Sequence, residues 1–126
     1  QYPFIYSKEV YRILKDNGTF IGSVAFLEGF HSSSYYHHTH YGTYNTFYSA
    51  GFKDITISPN QNWNVIKAQT GHLFPYLPRK FARAIVYPIY FVHLCYWRIL
   101  RLFYKRFTEE KRVLNVAASF FFIIRK

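Results

Sequence analysis

SKEVYRILKDNGTFIGSVAF, residues 7–26, decides how the rest of the chain is read. Val10, Ile13 and Leu14 recur at i, i+3 and i+4, which gives a helix one apolar face. Ser7 has the side chain of an N-cap, and Arg12 and Lys15 place positive charge at the end where the helix dipole favours it. Asn17-Gly18 stops the helix, because both residues tolerate the left-handed backbone that a helix end needs. Thr19 to Leu27 is then β-branched, aromatic and small, with no charge before Glu28. A strand of that composition is expected to be buried on both faces, the habit of a parallel sheet covered by helices.

Working outward, Pro3 suits the first turn of a helix. Thr39 to Ser49 reads as a second helix, with Tyr41, Tyr44, Phe47 and Tyr48 spaced for packing and Gly51 at its end. Phe52 to Ile57 is a short strand stopped by Ser58-Pro59. Pro59 to Gly71 reads as irregular and polar, with Trp63 anchoring the loop, and Leu73 to Pro78 turns into a further helix. Thr108 to Arg112 is a charged break, and Val113 to Lys126 reads as a strand.

The segment EVYRILKDNGTFIGSVAF resembles the passage from the fourth helix into the fifth strand of class I S-adenosylmethionine-dependent methyltransferases. Glu9, Arg12, Leu14, Lys15 and Gly18 fit an E-x-x-R-x-L-K helix end and its turn, with Asp16-Asn17 replacing the usual Pro-Gly. Ala50-Gly51-Phe52 before Asp54 to Ile57 is similar to the next element, and Ala118 to Lys126 to the last strand. The resemblance implies an α/β fold, the C-terminal half of a Rossmann-like methyltransferase sheet. Three strands are expected, in spatial order central strand, last strand, Phe52 strand, with the last one antiparallel. It also implies methyl transfer from S-adenosylmethionine to a small-molecule or lipid-like acceptor.

The 126 residues are enough for one domain or part of one. The six glycines are scattered, and the Gly-rich first loop and acidic strand end that hold such a cofactor are missing. Residues 1–126 are therefore expected to be the C-terminal part of one domain without its cofactor-binding half. This stretch alone is expected to be inactive. Cys95 is the sole cysteine, so an intrachain disulfide and a Cys-based zinc site are excluded; its apolar neighbours make it a small buried hydrophobe. The expected location is cytoplasmic, or peripheral at a membrane.

EGFHSSSYYHHTH, residues 28–40, carries four of the six histidines. It leaves the carboxyl end of the central strand, where open α/β sheets bind ligands. Metal binding needs three or four converging ligands, and adjacent His37 and His38 point apart in an extended chain, so no metal is expected. Surface or packing histidines are one reading of this loop and an acceptor-site loop is another, with a His-loop metal site as the remaining alternative. In the second reading His31 is the catalytic candidate, since a neutral imidazole takes a proton from a hydroxyl or amine. Tyr35, Tyr36, His37 and His40 are the substrate-binding candidates. The resemblance adds that a loop at this place, with a pair like Phe30-His31, borders the active site.

Net charge is +10, and no acid occurs between Asp54 and Glu109. A basic chain suggests nucleic acid, an anionic membrane surface or an acidic substrate. About fifty residues separate the last two strands where the resembling fold has a short hairpin, so an insertion over about 64–112 needs structure of its own. Its apolar run Ala84 to Trp97 is shorter than the ~20 residues that span a bilayer. Arg98, Arg101, Lys105 and Arg106 fall on one helical face, opposite Ile99, Leu100, Phe103, Tyr104 and Phe107. Such a helix packs on its own domain, lies on anionic lipid, or covers a lipid-like acceptor. Nucleic acid is disfavoured, because charge alone reads no bases. The alternative to an enzyme is a non-catalytic membrane-surface or partner-binding module built on this helix.

Overall fold

The computed structural model describes residues 2–29, 36–61 and 64–126. It is an α/β structure of two compact units, residues 1–26, 30–59 and 119–126 in one and residues 27–29 and 60–118 in the other. The first holds α1 (Pro3–Ile13), β1 (Thr19–Ala25), α2 (His40–Tyr48), β2 (Asp54–Pro59) and β3 (Ser119–Arg125). The three strands lie in the order β1-β3-β2, with β3 antiparallel to both neighbours. This is the spatial order expected for the central, last and Phe52 strands. The strand proper of the last segment begins at Ser119, because Val113 to Asn115 belong to a helix.

One face of this sheet makes the core. Phe122 and Ile124 of β3 pack with Val10, Phe47 and Phe52, and Phe20, Val24, Ile55 and Ile57 close around them. Gly22 faces Phe122 and Phe20 faces Ile124 across the ladder, so the same face of β1 points inward. The other face is bare: Ile21 is 66% exposed, and Phe121 and Ile123 are also exposed. β1 is therefore buried on one face only, which corrects the expectation for Thr19 to Leu27. With β3 as its sole strand neighbour among the described residues, β1 alternates inward and outward like an antiparallel edge.

Helix α1 begins at Pro3, with Tyr2 at the cap position, so Ser7 is not an N-cap. Ser7 is buried, and its Oγ lies 3.0 Å from the Phe4 carbonyl and 3.1 Å from that of Thr46 in α2. The helix face in use is Ser7, Val10, Tyr11 and Leu14, whereas Ile13 is exposed. Asn17 takes the left-handed backbone at φ 63°, as the turn requires. Lys126 closes the unit: its backbone pairs with Asn17 and Gly18, and its Nζ meets the Leu14 carbonyl at 2.9 Å. Helix α2 is capped by Thr39, whose hydroxyl accepts from the Gly42 amide. It buries Thr43, Thr46 and Phe47, while Tyr41, Tyr44 and Tyr48 stay exposed. Each buried threonine donates its hydroxyl to the carbonyl four residues back, which leaves the methyl group free to pack.

The second unit contains α3 (Val65–Leu73), α4 (Arg79–Phe103) and α5 (Glu109–Asn115). Helix α3 replaces the irregular stretch expected there; Asn64 caps it and Val65 bonds the Val116 carbonyl. Trp63 lies outside the described residues. Pro88 sits inside α4, where it removes one rung of the helix ladder. Ala82, Val86 and Trp97 are the buried side of α4, and Cys95 is only half-buried. The helix ends at Phe103, so Lys105 and Arg106 are not on it and the expected four-cation face is shorter. The charged break proved to be the start of α5, with Thr108 accepting from the Lys111 amide. Trp97 donates to the Thr108 carbonyl and meets Phe107 edge to face at 5.3 Å, tying α5 to α4.

Candidate functional site

A cavity of about 800 Å³ opens in the first unit beside the carboxyl end of β1. Tyr2, Pro3, Ile5 and Tyr6 from the start of α1 form one wall, and Thr43, Thr46 and Phe47 of α2 another. Ser23, Val24 and Phe122 of the sheet form the floor, and Tyr36 and His38 come in from the loop before α2. The lining is mostly apolar with a few polar groups, the usual make-up of a site for a small organic ligand.

Backbone pairing sets the loop's entry into this cavity. The His38 amide bonds the Ala25 carbonyl at 2.8 Å, continuing alongside the end of β1. In an extended stretch successive side chains point to opposite sides. Tyr36 and His38 accordingly reach the cavity together, their rings 6.2 Å apart. His37 turns the other way and its Nδ1 donates to the Phe26 carbonyl at 2.8 Å. His40 opens α2 and packs edge to face on Phe120, 5.7 Å away.

The structure thus brings one of the four substrate-binding candidates, Tyr36, into the cavity, and seats His37 and His40 against the backbone and a ring. His31 and Tyr35 lie outside the described residues. His38 was not singled out from the sequence. The signal that finds it is the period of two: once Tyr36 faces the ligand, the residue two positions on faces it too.

Burial holds the His38 imidazole below its ordinary pKa, and the adjacent His37 adds to the effect. His38 is therefore neutral at physiological pH and able to accept a proton. Tyr2, Tyr6 and Tyr36 bring aromatic surface with polar tips to the same space. A hydroxyl or amine compound with an apolar body matches this lining.

At Gly18, Gly22 and Gly51 the structure offers no cradle for S-adenosylmethionine. A cofactor cradle needs glycines whose missing β-carbons make room for the ligand. Here the space at Gly22 is filled by Phe122, that at Gly51 by Tyr11 and that at Gly18 by Leu14, whereas that at Gly71 in α3 is open. Among the described residues no three of His, Cys, Asp and Glu gather in a metal-binding group. No described helix is long and apolar enough to cross a membrane. No family model matches the chain, and no curated protein or solved structure matches it either.

Proposed function

We propose that this chain is the C-terminal half of a class I S-adenosylmethionine-dependent methyltransferase, and that its cavity receives a small or lipid-like methyl acceptor. One observation carries the reading: the strand order β1-β3-β2 with the last strand reversed between two strands of like direction. The resemblance implies that order, and a generic hairpin or meander would have placed β2 next to β1. The bare face at Ile21, Phe121 and Ile123 and the open side of β1 supply a surface for further strands and helices of such a sheet.

In a complete enzyme the cofactor, held outside this chain, supplies the activated methyl group. The chain's own residues position the acceptor against the apolar wall and remove its proton. The imidazole of His38, kept neutral by burial, takes that proton from a hydroxyl or amine. Alignment is the larger part of the task, because displacement at a methyl carbon is in-line.

Calorimetry on the full-length protein and on residues 1–126 alone tests the reading. S-adenosylmethionine is expected to bind the first and not the second. A full-length protein that fails to bind it overturns the proposal, and tight binding to residues 1–126 overturns the placement of the cofactor.

A further inference from the structure

Helix α4 runs for 25 residues, about 37 Å at the rise of an α-helix. Ile85, Ile89, Val92, Tyr96, Ile99 and Phe103 follow one another at spacings of four and three residues. At about 100° per residue they share an arc of about 80°. All six are between 48% and 75% exposed, while Ala82, Val86 and Trp97 on another side of the helix are buried. An apolar stripe of this length is not scattered surface; it marks a contact.

The charges on the helix decide what the stripe contacts. Every ionised side chain of α4 is a cation: Arg79, Lys80, Arg83, Arg98 and Arg101, with no carboxylate among them. Arg101 is paired with Glu109 at 3.6 Å, but Lys80 and Arg98 are exposed about 100° round from the stripe's nearer edge, and the exposed Phe91 and Leu102 carry the apolar surface across that arc to them. A second copy docked on the stripe would bring like charges together, at a cost in free energy. An anionic lipid surface meets both features at once: acyl chains take the stripe and headgroups take the rim.

We propose that α4 lies in the plane of an anionic bilayer surface, with the Ile85-to-Phe103 stripe in the acyl boundary and Lys80 and Arg98 at the headgroups. The helix inserts without crossing, as an interfacial helix does, to a depth of about 5–10 Å. The proposal stands apart from methyl transfer, since it rests on the second unit alone.

Flotation of the full chain with vesicles tests it, using phosphatidylcholine mixed with phosphatidylserine against phosphatidylcholine alone. Binding is expected to the anionic vesicles, to be much weaker on the neutral ones, and to fall as salt screens the headgroups. Lys80→Gln with Arg98→Gln should weaken binding roughly 25-fold, about fivefold for each cation. Val92→Asp with Ile99→Asp should abolish it with the far-UV circular dichroism unchanged, because both side chains are exposed. Absence of binding to either vesicle overturns the proposal, and so does equal binding to both that ignores salt. Self-association lost in the Val92→Asp, Ile99→Asp variant, without vesicle binding, assigns the stripe to a second copy and also overturns it.

Discussion

The ring of Phe122 occupies the space that a β-carbon on Gly22 would need. The two residues face each other across β1 and β3, and that carbon would sit 2.5 Å from Phe122 Cζ. Phe122 also belongs to the core and to the wall of the cavity. A glycine that weakens a strand in isolation is here the condition for a large ring to lie flat across the sheet.

Gly22→Ala should therefore destabilise the chain, by about 1–3 kcal/mol, the usual range for forcing a group into a packed core. The backbone entropy argument alone predicts the opposite sign. Urea denaturation decides between them: a neutral or stabilising Gly22→Ala means that the Phe122 ring moves aside freely. A Gly22→Ala, Phe122→Leu double variant should recover part of the loss, because the two sites are coupled.

Ser7→Val should loosen the contact between α1 and α2. Ser7 is fully buried and its hydroxyl lies between the Phe4 and Thr46 carbonyls. The substitution removes a donor and adds bulk, so a loss of about 1–3 kcal/mol is expected. Ser7→Ala, which adds no bulk, should cost about 1 kcal/mol. Equal losses in the two melts would show that sterics play no part.

The chain should lose stability as the pH falls below the ordinary histidine value of 6.5. Burial lowers the pKa of His38 and, with Arg112 contributing, that of His93. The unfolded chain then takes up protons before the folded one, so stability is complete above that value and declines until the folded histidines protonate. His38→Gln should flatten the pH dependence of the denaturation midpoint, leaving the part due to His93. An unchanged slope in His38→Gln would mean that His38 is not buried.

Glu109 holds the buried Arg112, whose Nε bonds its carboxylate at 2.8 Å and whose Nη2 also meets it. That hydrogen bond is the main reason the Glu109 carboxyl is depressed below its ordinary value. A depressed carboxylate adds stability above its unfolded pKa, and the contribution fades as acid protonates it in the folded state. Glu109→Gln should cost about 1 kcal/mol at neutral pH, a modest figure because Glu109 is half exposed and water screens it. The gap between this variant and the parent should narrow in acid, and a gap independent of pH would assign the effect to packing.

In a full-length enzyme His38→Ala should lower kcat by about 10²–10⁴-fold with cofactor affinity unchanged, the signature of a lost proton acceptor. His31→Ala separates the two loop histidines. A fall in kcat for His31→Ala alone would move the proton acceptor to His31, leaving His38 as a wall of the cavity.

Much of the frame was legible in local chemistry. Asn17-Gly18 marks a left-handed turn and Gly51 a stop, because each depends only on what a few adjacent residues can do with their own backbone. Gly51 indeed has a positive φ of 111°. What misled was apolarity without a partner. Ile13, Ile21 and Tyr44 look like core residues and are exposed, whereas Ser7, Thr43 and Thr46 look like surface and are buried. Short-range hydrogen bonds to carbonyls of their own helix let these small polar side chains sit where two helices meet closely.

The sequence by itself determined the turn at Asn17-Gly18, the stop at Gly51 and the basic character of the Arg79–Phe103 segment, while the reversal of the last strand was what the resemblance implied. The first three are local properties, set by dihedral preference and composition. Only the tertiary structure decided which face of each element is inside. It chose His38 over His37 and His40 for the cavity, because pairing of the His38 amide with Ala25 fixes the phase of an alternating stretch. It also chose one face of β1, because the Phe122 ring needs Gly22 beneath it. Burial is a relation between segments far apart in the chain, and no single segment carries it.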